Sequence, residues 1–480
     1  MRFKLLLFAF AVVSQIAITQ NITWYYTWNN SINDLEKAHD EKIPVLYNGS
    51  NYRIMKVEGF TNQIDKIEIY SSNVSTEIFR LPIMEDYNRD LILDVMLPMS
   101  EKNTLINRRV TDQYFLVKFM GKQHGEDTVN FYIISEKQRF KTLKNIIVSN
   151  KPYYNKMNMN NWSYFDYSYQ TRGLKNNVIA DLVKHNSNVL VIPPAYIPSI
   201  SSPNPKDQIN KLIKYIQGTE NKFDYYVLFL GYTSEYSLVL TNNWKKNVPI
   251  WYKTISDIFE SAGINSNKVI IYPYDEPKGA NIERLSKVYD YFRSVGIKNK
   301  FFVTIGNVDA AKLAGKIEII QVATHYEDRI EHVNLYRSKL SQIWLYEILA
   351  GSRNYNVKIY HRLGFKAYKY NANGIGVWNY ADSDKSFNES NRKNLAKSFG
   401  SWQIKASNPI RDYSLIYRKN NSLFSSIRWE ALSYGMEETY WLSLFEETYG
   451  QDKCDTLVND ILSNKVTQKQ WETVKFNLIN

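Results

Sequence analysis

The sequence predicts an α/β fold in which an all-β sandwich precedes a (β/α)8 barrel. Two observations carry this prediction. Short segments that alternate apolar and polar residues recur between residues 20 and 150, and this period of two is typical of strands in a sandwich. Beyond residue 151, apolar strand-like segments alternate with segments of helical spacing, which indicates a parallel sheet covered by helices.

The length and composition agree with a globular protein of more than one domain. The chain has 480 residues, of which 44% are hydrophobic and 22% charged, enough for two or three domains with sizeable cores. We predict a sandwich domain over residues 20–150, a barrel domain over 151–450 and a C-terminal helical tail over 451–480. A segment rich in Asn, Pro and Tyr at 150–155 is the predicted linker.

The N-terminus predicts an exported protein. Arg2 and Lys4 precede an apolar segment at 5–13, and small residues at 17–19 offer a cleavage site, as in a signal peptide. The apolar segment is too short to span a bilayer comfortably. We therefore expect residues 1–19 to be removed, leaving a secreted or cell-surface protein without stable membrane insertion. An uncleaved N-terminal anchor is the alternative.

Charge, cysteine and histidine content argue against several kinds of partner. The net charge is +12, but the lysines are scattered among asparagines, so we predict no nucleic-acid partner. Cys454 is the single cysteine, which excludes an intrachain disulfide. The six histidines are dispersed, and we predict neither a metal nor another cofactor. The oligomeric state stays open.

The predicted strands and helices follow from these periodicities. The sandwich strands are expected at 52–57, 66–70, 91–96, 114–119 and 128–133. The barrel strands are expected at 162–167, 188–192, 225–230, 269–274, 300–305, 317–323, 342–346 and 374–379. Helices are expected at 206–217, 249–261, 281–295, 331–339 and 425–445. Eight strands without a Gly-rich dinucleotide or phosphate motif favour a closed barrel over an open doubly wound sheet.

The fourth predicted barrel strand ends in two adjacent carboxylates, Asp275 and Glu276. The apolar, β-branched residues at 269–271 are typical of a strand buried on both faces, and Pro273 and Pro277 end it. In β/α proteins, chemistry is placed at the carboxyl ends of strands, so we interpret the two residues as a catalytic pair. Because a helix follows directly, the alternative is that they cap its N-terminus.

Two crowded carboxylates suit the cleavage of a glycosidic bond, which needs a proton donor and stabilisation of an oxocarbenium-like centre. Crowding raises the pKa of at least one carboxyl group, so that it can act as an acid near neutral pH. Adjacent residues are too close to act as acid and nucleophile on opposite sides of the anomeric carbon. This favours substrate-assisted hydrolysis, with Glu276 as acid/base and Asp275 orienting the 2-acetamido group of the substrate.

Two segments resemble glycoside hydrolase family 123 and its relatives. They are Tyr274-Asp275-Glu276-Pro277 and the stretch 426–442, which begins Ser-Ile-Arg-Trp-Glu and ends Tyr-Trp-Leu. The resemblance implies a sandwich before the barrel and exo-acting β-N-acetylgalactosaminidase activity, with Asp275 orienting the acetamido group and Glu276 as acid/base. The second segment departs from the family at 433–435, where Ser-Tyr-Gly replaces the common Arg-Asp-Gly.

A second arrangement uses Glu347, which ends the seventh predicted strand. Retaining β-glycosidases with an enzyme nucleophile place one Glu after strand four and another after strand seven. Those enzymes often carry Asn-Glu-Pro where this chain has Asp-Glu-Pro at 275–277, and the Asp favours the substrate-assisted interpretation. Otherwise Glu347 is expected to be a polar residue of the pocket or a helix cap.

Other residues near the predicted strand ends are candidates for binding the glycan. Hydrogen bonds to the sugar are assigned to His325, Tyr326, Tyr346 and Asp382, and stacking on its apolar face to Trp344 and Trp378. Barrel strands also place aromatic rings in the core, and a lone His is often structural, so each has a structural alternative. A surface glycan-binding protein without turnover is the non-enzymatic alternative, since 15% aromatic residues permit sugar stacking without proving it.

Overall fold

The computed structural model describes residues 21–29, 31–38, 42–60, 63–85, 91–100, 112–135, 138–161, 171–203, 205–232, 237–306, 308–323, 333–337, 341–347, 357–377, 380–381, 414–419 and 421–479. The predicted signal peptide at 1–19 lies outside these residues.

The N-terminal region is the predicted β-sandwich. Its strands are β1 (Ile22–Tyr25), β2 (Ile43–Tyr47), β3 (Ser50–Val57), β4 (Lys66–Tyr70), β5 (Val74–Leu81), β6 (Ile83–Glu85), β7 (Leu91–Leu93), β8 (Leu97–Pro98), β9 (Gln113–Gly121), β10 (Gly125–Ser135) and β11 (Gln138–Pro152). One layer contains β1, β3, β9, β5 and β8, and the other contains β2, β11, β10 and β4. A pairing of Tyr47 with Gly121 joins the two layers. The last strand, β11, includes the first three residues of the predicted linker.

Strand β9 shows why the layers pack as they do. Phe115, Val117 and Phe119 point into the sandwich core, whereas Tyr114 and Leu116 belong to the core shared with the barrel. Side chains alternate between the two faces of a strand, so an apolar run such as this one predicts burial on both faces. One layer is therefore enclosed between the other layer and the barrel.

The second region is the predicted eight-stranded parallel barrel. Its strands are β12 (Asn158–Asn161), β13 (Val189–Ile192), β14 (Tyr225–Phe229), β15 (Val269–Tyr272), β16 (Phe302–Ile305), β17 (Ile319–Ala323), β18 (Gln342–Glu347) and β19 (Gly374–Val377). Neighbours pair in parallel from β15 through β12 and β19 to β16. A parallel bridge between Ile271 and Phe301 joins the two ends.

Strand β12 begins four residues before the predicted start of the first barrel strand and ends directly before it. The predicted segment, 162–167, lies outside the described residues, and the strand that pairs with β13 and β19 is Asn158–Asn161. Asn has low β propensity, so sequence patterning does not identify this strand. The amide of Asn160 instead pairs inside the barrel with Gln321, at 2.8 and 3.1 Å.

The barrel interior is packed with side chains at the level of Trp344. Val191, Tyr272, Phe302 and Trp344 belong to one interior cluster, as expected for the filled core of such a barrel. An added Cβ at Gly374 would lie 2.8 Å from the Trp344 ring. The Gly on β19 therefore makes room for the indole.

The helices surround the barrel and extend the chain beyond it. They are α1 (Lys175–Lys184), α2 (Lys206–Ile216), α3 (Asn242–Ser261), α4 (Ala280–Ser294), α5 (Val333–Tyr336), α6 (Val357–Lys369), α7 (Ile427–Tyr449), α8 (Gln451–Leu462) and α9 (Gln468–Asn477). Neither α1 nor α6 is predicted from the sequence. Within the described residues, no helix is long and apolar enough to cross a membrane. Cys454, on α8, is buried.

A glycine lies in the interior of helix α6. An added Cβ at Gly364 would lie 1.8 Å from the carbonyl oxygen of Gly435 on α7. Glycine weakens an isolated helix, but here it lets two helix backbones approach closely. A local rule is therefore overridden by packing, and α7 comes to lie between the barrel and the sandwich.

Candidate active site

Asp275 and Glu276 lie in the turn between β15 and α4, at the carboxyl end of the fourth barrel strand. Helix α4 has Gly279 at its N-cap position, and Glu283 is the acidic residue of its first turn. Neither Asp275 nor Glu276 therefore caps this helix, and the capping alternative is wrong. We call residues 275–276 the acidic turn.

The Asp275 carboxylate is held by two hydroxyl groups from inside the barrel. Tyr272 donates its hydroxyl to Asp275 Oδ1 at 2.6 Å, and Thr304 Oγ1 donates to the same oxygen. Tyr272 and Thr304 are buried, whereas Asp275 is exposed. One carboxylate oxygen is thus anchored on the barrel core while the residue as a whole faces solvent.

The Glu276 backbone has an unusual conformation, with φ at +40°. Residues other than Gly, Asn and Asp rarely adopt positive φ, and those that do often lie at functional sites. Its N–H donates to Thr304 Oγ1 at 3.1 Å, and its Oε1 accepts the hydroxyl of Tyr346 at 2.5 Å. Glu276 is half-buried.

Three barrel strands supply the hydroxyl groups that support the acidic turn. Tyr272 comes from β15, Thr304 from β16 and Tyr346 from β18. Two residues earlier on each strand, Ile270, Phe302 and Trp344 lie in the interior cluster, and side chains two residues apart share one face. The turn is therefore built on the interior of the barrel, which is rigid because it is packed.

The electrostatic setting keeps the Tyr272 hydroxyl protonated. Burial, together with the negative charge of Asp275, raises the pKa of Tyr272 well above its ordinary value. Tyr272 therefore remains a hydrogen-bond donor throughout the pH range of an ordinary assay. Among the described residues, neither Asp275 nor Glu276 forms an ion pair, and no group of residues could hold a metal ion.

Glu347 does not join this site. It is 3% exposed and accepts a hydrogen bond from Lys366 on α6 at 2.7 Å. On β18 it lies on the opposite face from Tyr346, so it points toward the helices while Tyr346 points toward the acidic turn. This position disfavours both roles predicted for Glu347, as nucleophile and as a polar residue of the pocket.

Of the other predicted binding residues, Trp344 and Tyr346 are the two that lie in the described part of the chain. Trp344 is 0% exposed and packs against Phe302, so its ring lies in the barrel core rather than at a sugar-binding surface. Tyr346 lies beside Glu276, and its hydroxyl group donates to the Glu276 carboxylate. His325, Tyr326, Trp378 and Asp382 lie outside the described residues, and their proposed contacts with the glycan stay predictions.

Sequence reasoning missed Tyr272 and Thr304. A signal for both was available, since each is a polar residue at the end of an apolar strand. Counting in steps of two from Ile270 and Phe302 places them on the interior face. A hydroxyl group at that depth needs a hydrogen-bond partner, and the acidic turn directly above provides it.

No protein-family model and no curated protein matches the chain. Among solved structures, it is similar to a family 123 glycoside hydrolase from Clostridium perfringens, with a TM-score of 0.66, 10% identity and 96% of both chains covered. An endo-β-1,4-mannanase from Thermotoga petrophila matches with a TM-score of 0.39, 11% identity and 60% of this chain and 77% of that chain covered. At this identity the first likeness shows a shared fold and confirms the predicted architecture, while the second TM-score is too low to carry an argument.

Proposed function

We propose that this protein is a secreted glycoside hydrolase that releases terminal β-linked N-acetylhexosamine, with N-acetylgalactosamine as the preferred sugar. The observation that carries the proposal is the acidic turn, in which two adjacent carboxylates are separately anchored at the carboxyl end of the fourth barrel strand. The shared fold with a glycoside hydrolase from a structural study of glycolipid glycan hydrolysis supports the same class of substrate.

The geometry of the turn favours substrate-assisted catalysis with retention. Glu276 protonates the glycosidic oxygen while the acetamido oxygen of the substrate attacks the anomeric carbon and expels the leaving group. Asp275 accepts the acetamido N–H and orients the group for attack. Water then opens the cyclic intermediate, with Glu276 accepting its proton. Glu347, the carboxylate that the enzyme-nucleophile alternative would use, is instead bound by Lys366 on the far face of β18.

The role of Glu276 is tested by Glu276→Gln on chromogenic β-N-acetylgalactosaminides of graded leaving-group ability. We expect kcat/KM to fall about 10²- to 10⁴-fold for poor leaving groups, which need a general acid, and much less for dinitrophenol. The matched control is Glu283→Gln, on an exposed Glu of the next helix. Full activity of Glu276→Gln on every leaving group would contradict the assignment.

The role of Asp275 is tested by Asp275→Asn and by a thiazoline inhibitor that mimics the cyclised acetamido intermediate. We expect activity to fall to a similar extent for all leaving groups, because Asp275 acts on the nucleophile. We also expect the thiazoline to bind the wild-type protein far more tightly than the variant. An active wild-type enzyme that ignores the thiazoline would refute substrate assistance, and a wild-type protein that binds the sugar without turnover would support the glycan-binding alternative.

Export of the protein is supported by the N-terminal segment 1–19. Expression of the full chain in a secreting host, followed by N-terminal sequencing, is expected to give a mature protein that begins near residue 20. Recovery of the protein with its N-terminus intact would contradict cleavage.

A further inference from the structure

A single hydroxyl group contacts both residues of the acidic turn. Thr304 Oγ1 lies within hydrogen-bond distance of the Asp275 carboxylate, the Glu276 backbone N–H at 3.1 Å and the Tyr272 hydroxyl at 2.6 Å. Thr304 itself is 2% exposed and lies near the carboxyl end of β16. A buried group with several partners has little freedom to move, so it can fix the groups that it contacts.

The direction of each bond follows from the proton inventory. The N–H of Glu276 can only donate, so Thr304 Oγ1 accepts it and directs its own proton to Asp275 Oδ1. Tyr272 donates to the same carboxylate oxygen. Two hydroxyl donors therefore occupy Oδ1, and among the described residues none donates to Asp275 Oδ2. Of the two carboxylate oxygens, Oδ2 is therefore the one that we expect to accept an N–H from a ligand.

The Thr304 hydroxyl also supports the strained backbone of the turn. A φ of +40° at Glu276 persists only where the surroundings hold it, and the bond from the Glu276 N–H is one such constraint. If the backbone relaxed, the Glu276 side chain would leave the Tyr346 hydroxyl. The same threonine thus acts on the side chain of one carboxylate and on the backbone of the other.

We propose that Thr304 is a positioning residue that fixes the two carboxylates relative to each other, with Tyr272 as its partner on Asp275. This inference rests on the proposed substrate-assisted reaction. That reaction needs Asp275 Oδ2 at the acetamido N–H and the Glu276 carboxyl group at the glycosidic oxygen at the same time. A side chain that sets both positions allows adjacent residues to serve two different atoms of the substrate.

The test compares Thr304→Val with Thr304→Ser, using Glu276→Gln as the reference for a lost acid. Valine keeps the shape of threonine and removes its hydroxyl, so we expect kcat to fall about 10- to 100-fold, the range for hydrogen bonds to charged groups. Serine restores the hydroxyl and is expected to recover kcat to within about threefold. Tyr272→Phe keeps the backbone bond, and a smaller loss is expected.

Two outcomes separate this inference from the proposed function. If Glu276→Gln loses activity as expected while Thr304→Val keeps it, the positioning role is wrong and the proposed function stands. Equal losses in Thr304→Val and Thr304→Ser would also contradict it, because the hydroxyl would not be the cause. Thermal unfolding of both variants identifies a loss that arises from misfolding.

If the wild-type protein hydrolyses no acetamido sugar, the proposed function fails and the positioning role is tested by crystallography alone. We expect the crystal structure of Thr304→Val to show φ of Glu276 leaving the left-handed region or the Asp275 carboxylate rotated away from Tyr272. Crystals of Thr304→Ser are expected to keep the wild-type turn. A wild-type turn in Thr304→Val would overturn the inference.

Discussion

The acidic turn and two residues of helix α7, Glu430 and Glu438, hold their carboxylates in opposite ways. In the turn, Asp275 and Glu276 are at least partly exposed and accept hydrogen bonds from neutral hydroxyl groups. On α7, Glu430 and Glu438 are each 1% exposed and contact cationic side chains. The acidic turn thus uses neutral donors, whereas these two carboxylates of α7 lie beside cations.

Glu430 shows how α7 uses its charges. It accepts hydrogen bonds from Tyr52 at 2.8 Å and from Lys118 at 3.3 Å, both in the sandwich, and lies 3.0 Å from His185 in the barrel region. Burial alone would raise the pKa of Glu430, but Lys118 and His185 together hold it well below its ordinary value. One carboxylate therefore ties three parts of the chain together.

Other charges of α7 make similar links. Arg428 binds Asp94 through Nε at 2.9 Å and Nη2 at 2.8 Å, and Glu438 lies 3.3 Å from Lys475 on α9. The segment 426–442, which resembles the glycosidase family in sequence, thus lies at the junction of sandwich and barrel. This segment therefore stabilises the junction between the two domains, whereas the Asp-Glu-Pro motif supplies the residues of the proposed chemistry.

Breaking a buried pair of α7 is expected to give the largest effect on stability. Arg428→Met leaves Asp94, which is 0% exposed, as a buried charge without its guanidinium, and we expect the free energy of unfolding to fall by about 3–5 kcal/mol. Urea unfolding measures it. Lys253→Met, in the exposed Lys253–Asp257 pair, is the control and is expected to change stability by less than about 1 kcal/mol.

The double variant Arg428→Met/Asp94→Asn tests whether the unpaired buried charge of Asp94 causes the loss of stability. It removes both charges, so we expect part of the lost stability to return. Equal stability of Arg428→Met and Lys253→Met would contradict the expected difference between buried and exposed ion pairs.

The stability of the α7 junction is expected to depend on pH through His185. Burial alone would lower the pKa of His185, but Asp181 and Glu430 outweigh it and raise the value to about 9. Because the folded pKa lies above the ordinary value of about 6.5, this stabilisation is complete below pH 6.5. It is lost as the pH rises to about 9, by an amount on the order of 3 kcal/mol. Urea unfolding at pH 6.5 and pH 9 measures the loss.

A second buried group changes stability over a different range. Burial raises the pKa of Glu437 to about 8, although hydrogen bonds from Ser50 oppose the shift, so its contribution falls between about pH 4.5 and pH 8. His185→Gln is expected to flatten the decline above pH 8, and Glu437→Gln to flatten it below pH 6. An unchanged decline above pH 8 in His185→Gln would contradict the role of the histidine.

The smallest expected effect concerns the support of Glu276. Tyr346→Phe removes the hydroxyl that donates to Glu276 Oε1, and we expect kcat on the chromogenic substrate to fall about 10-fold, with little change in stability. Tyr368→Phe is a matched control, because Tyr368 donates to Glu446 on α7, and it is expected to leave kcat unchanged. Equal activity of the two variants would contradict the role of Tyr346 in supporting Glu276.

Much of the architecture could be predicted from the sequence because apolar patterning is local. The fourth barrel strand ends at Tyr272, and the acidic turn follows it as predicted. Strand β12 could not be predicted, because its asparagines are stabilised by partners elsewhere in the barrel, such as Gln321. Helix α6 was also not predicted, and its interior Gly364 is required by the contact with Gly435 on α7.

The candidate site was predicted only in part. Periodicity places Asp275 and Glu276 at a strand end, but it does not give the side chain that each residue contacts. Glu347 ends its strand as the second glycosidase pattern requires, yet the structure pairs it with Lys366. Trp344, a candidate platform for the sugar, lies in the core.

The order of the two domains, seven of the eight barrel strands and the position of the acidic turn follow from the sequence, because these features depend on residues close together in the chain. The groups that hold the acidic turn follow only from the tertiary structure. Thr304 and Tyr346 lie 29 and 70 residues from their acidic partners, and closure of the barrel brings them together. Hydrogen bonds over such separations depend on which strands become neighbours when the barrel closes.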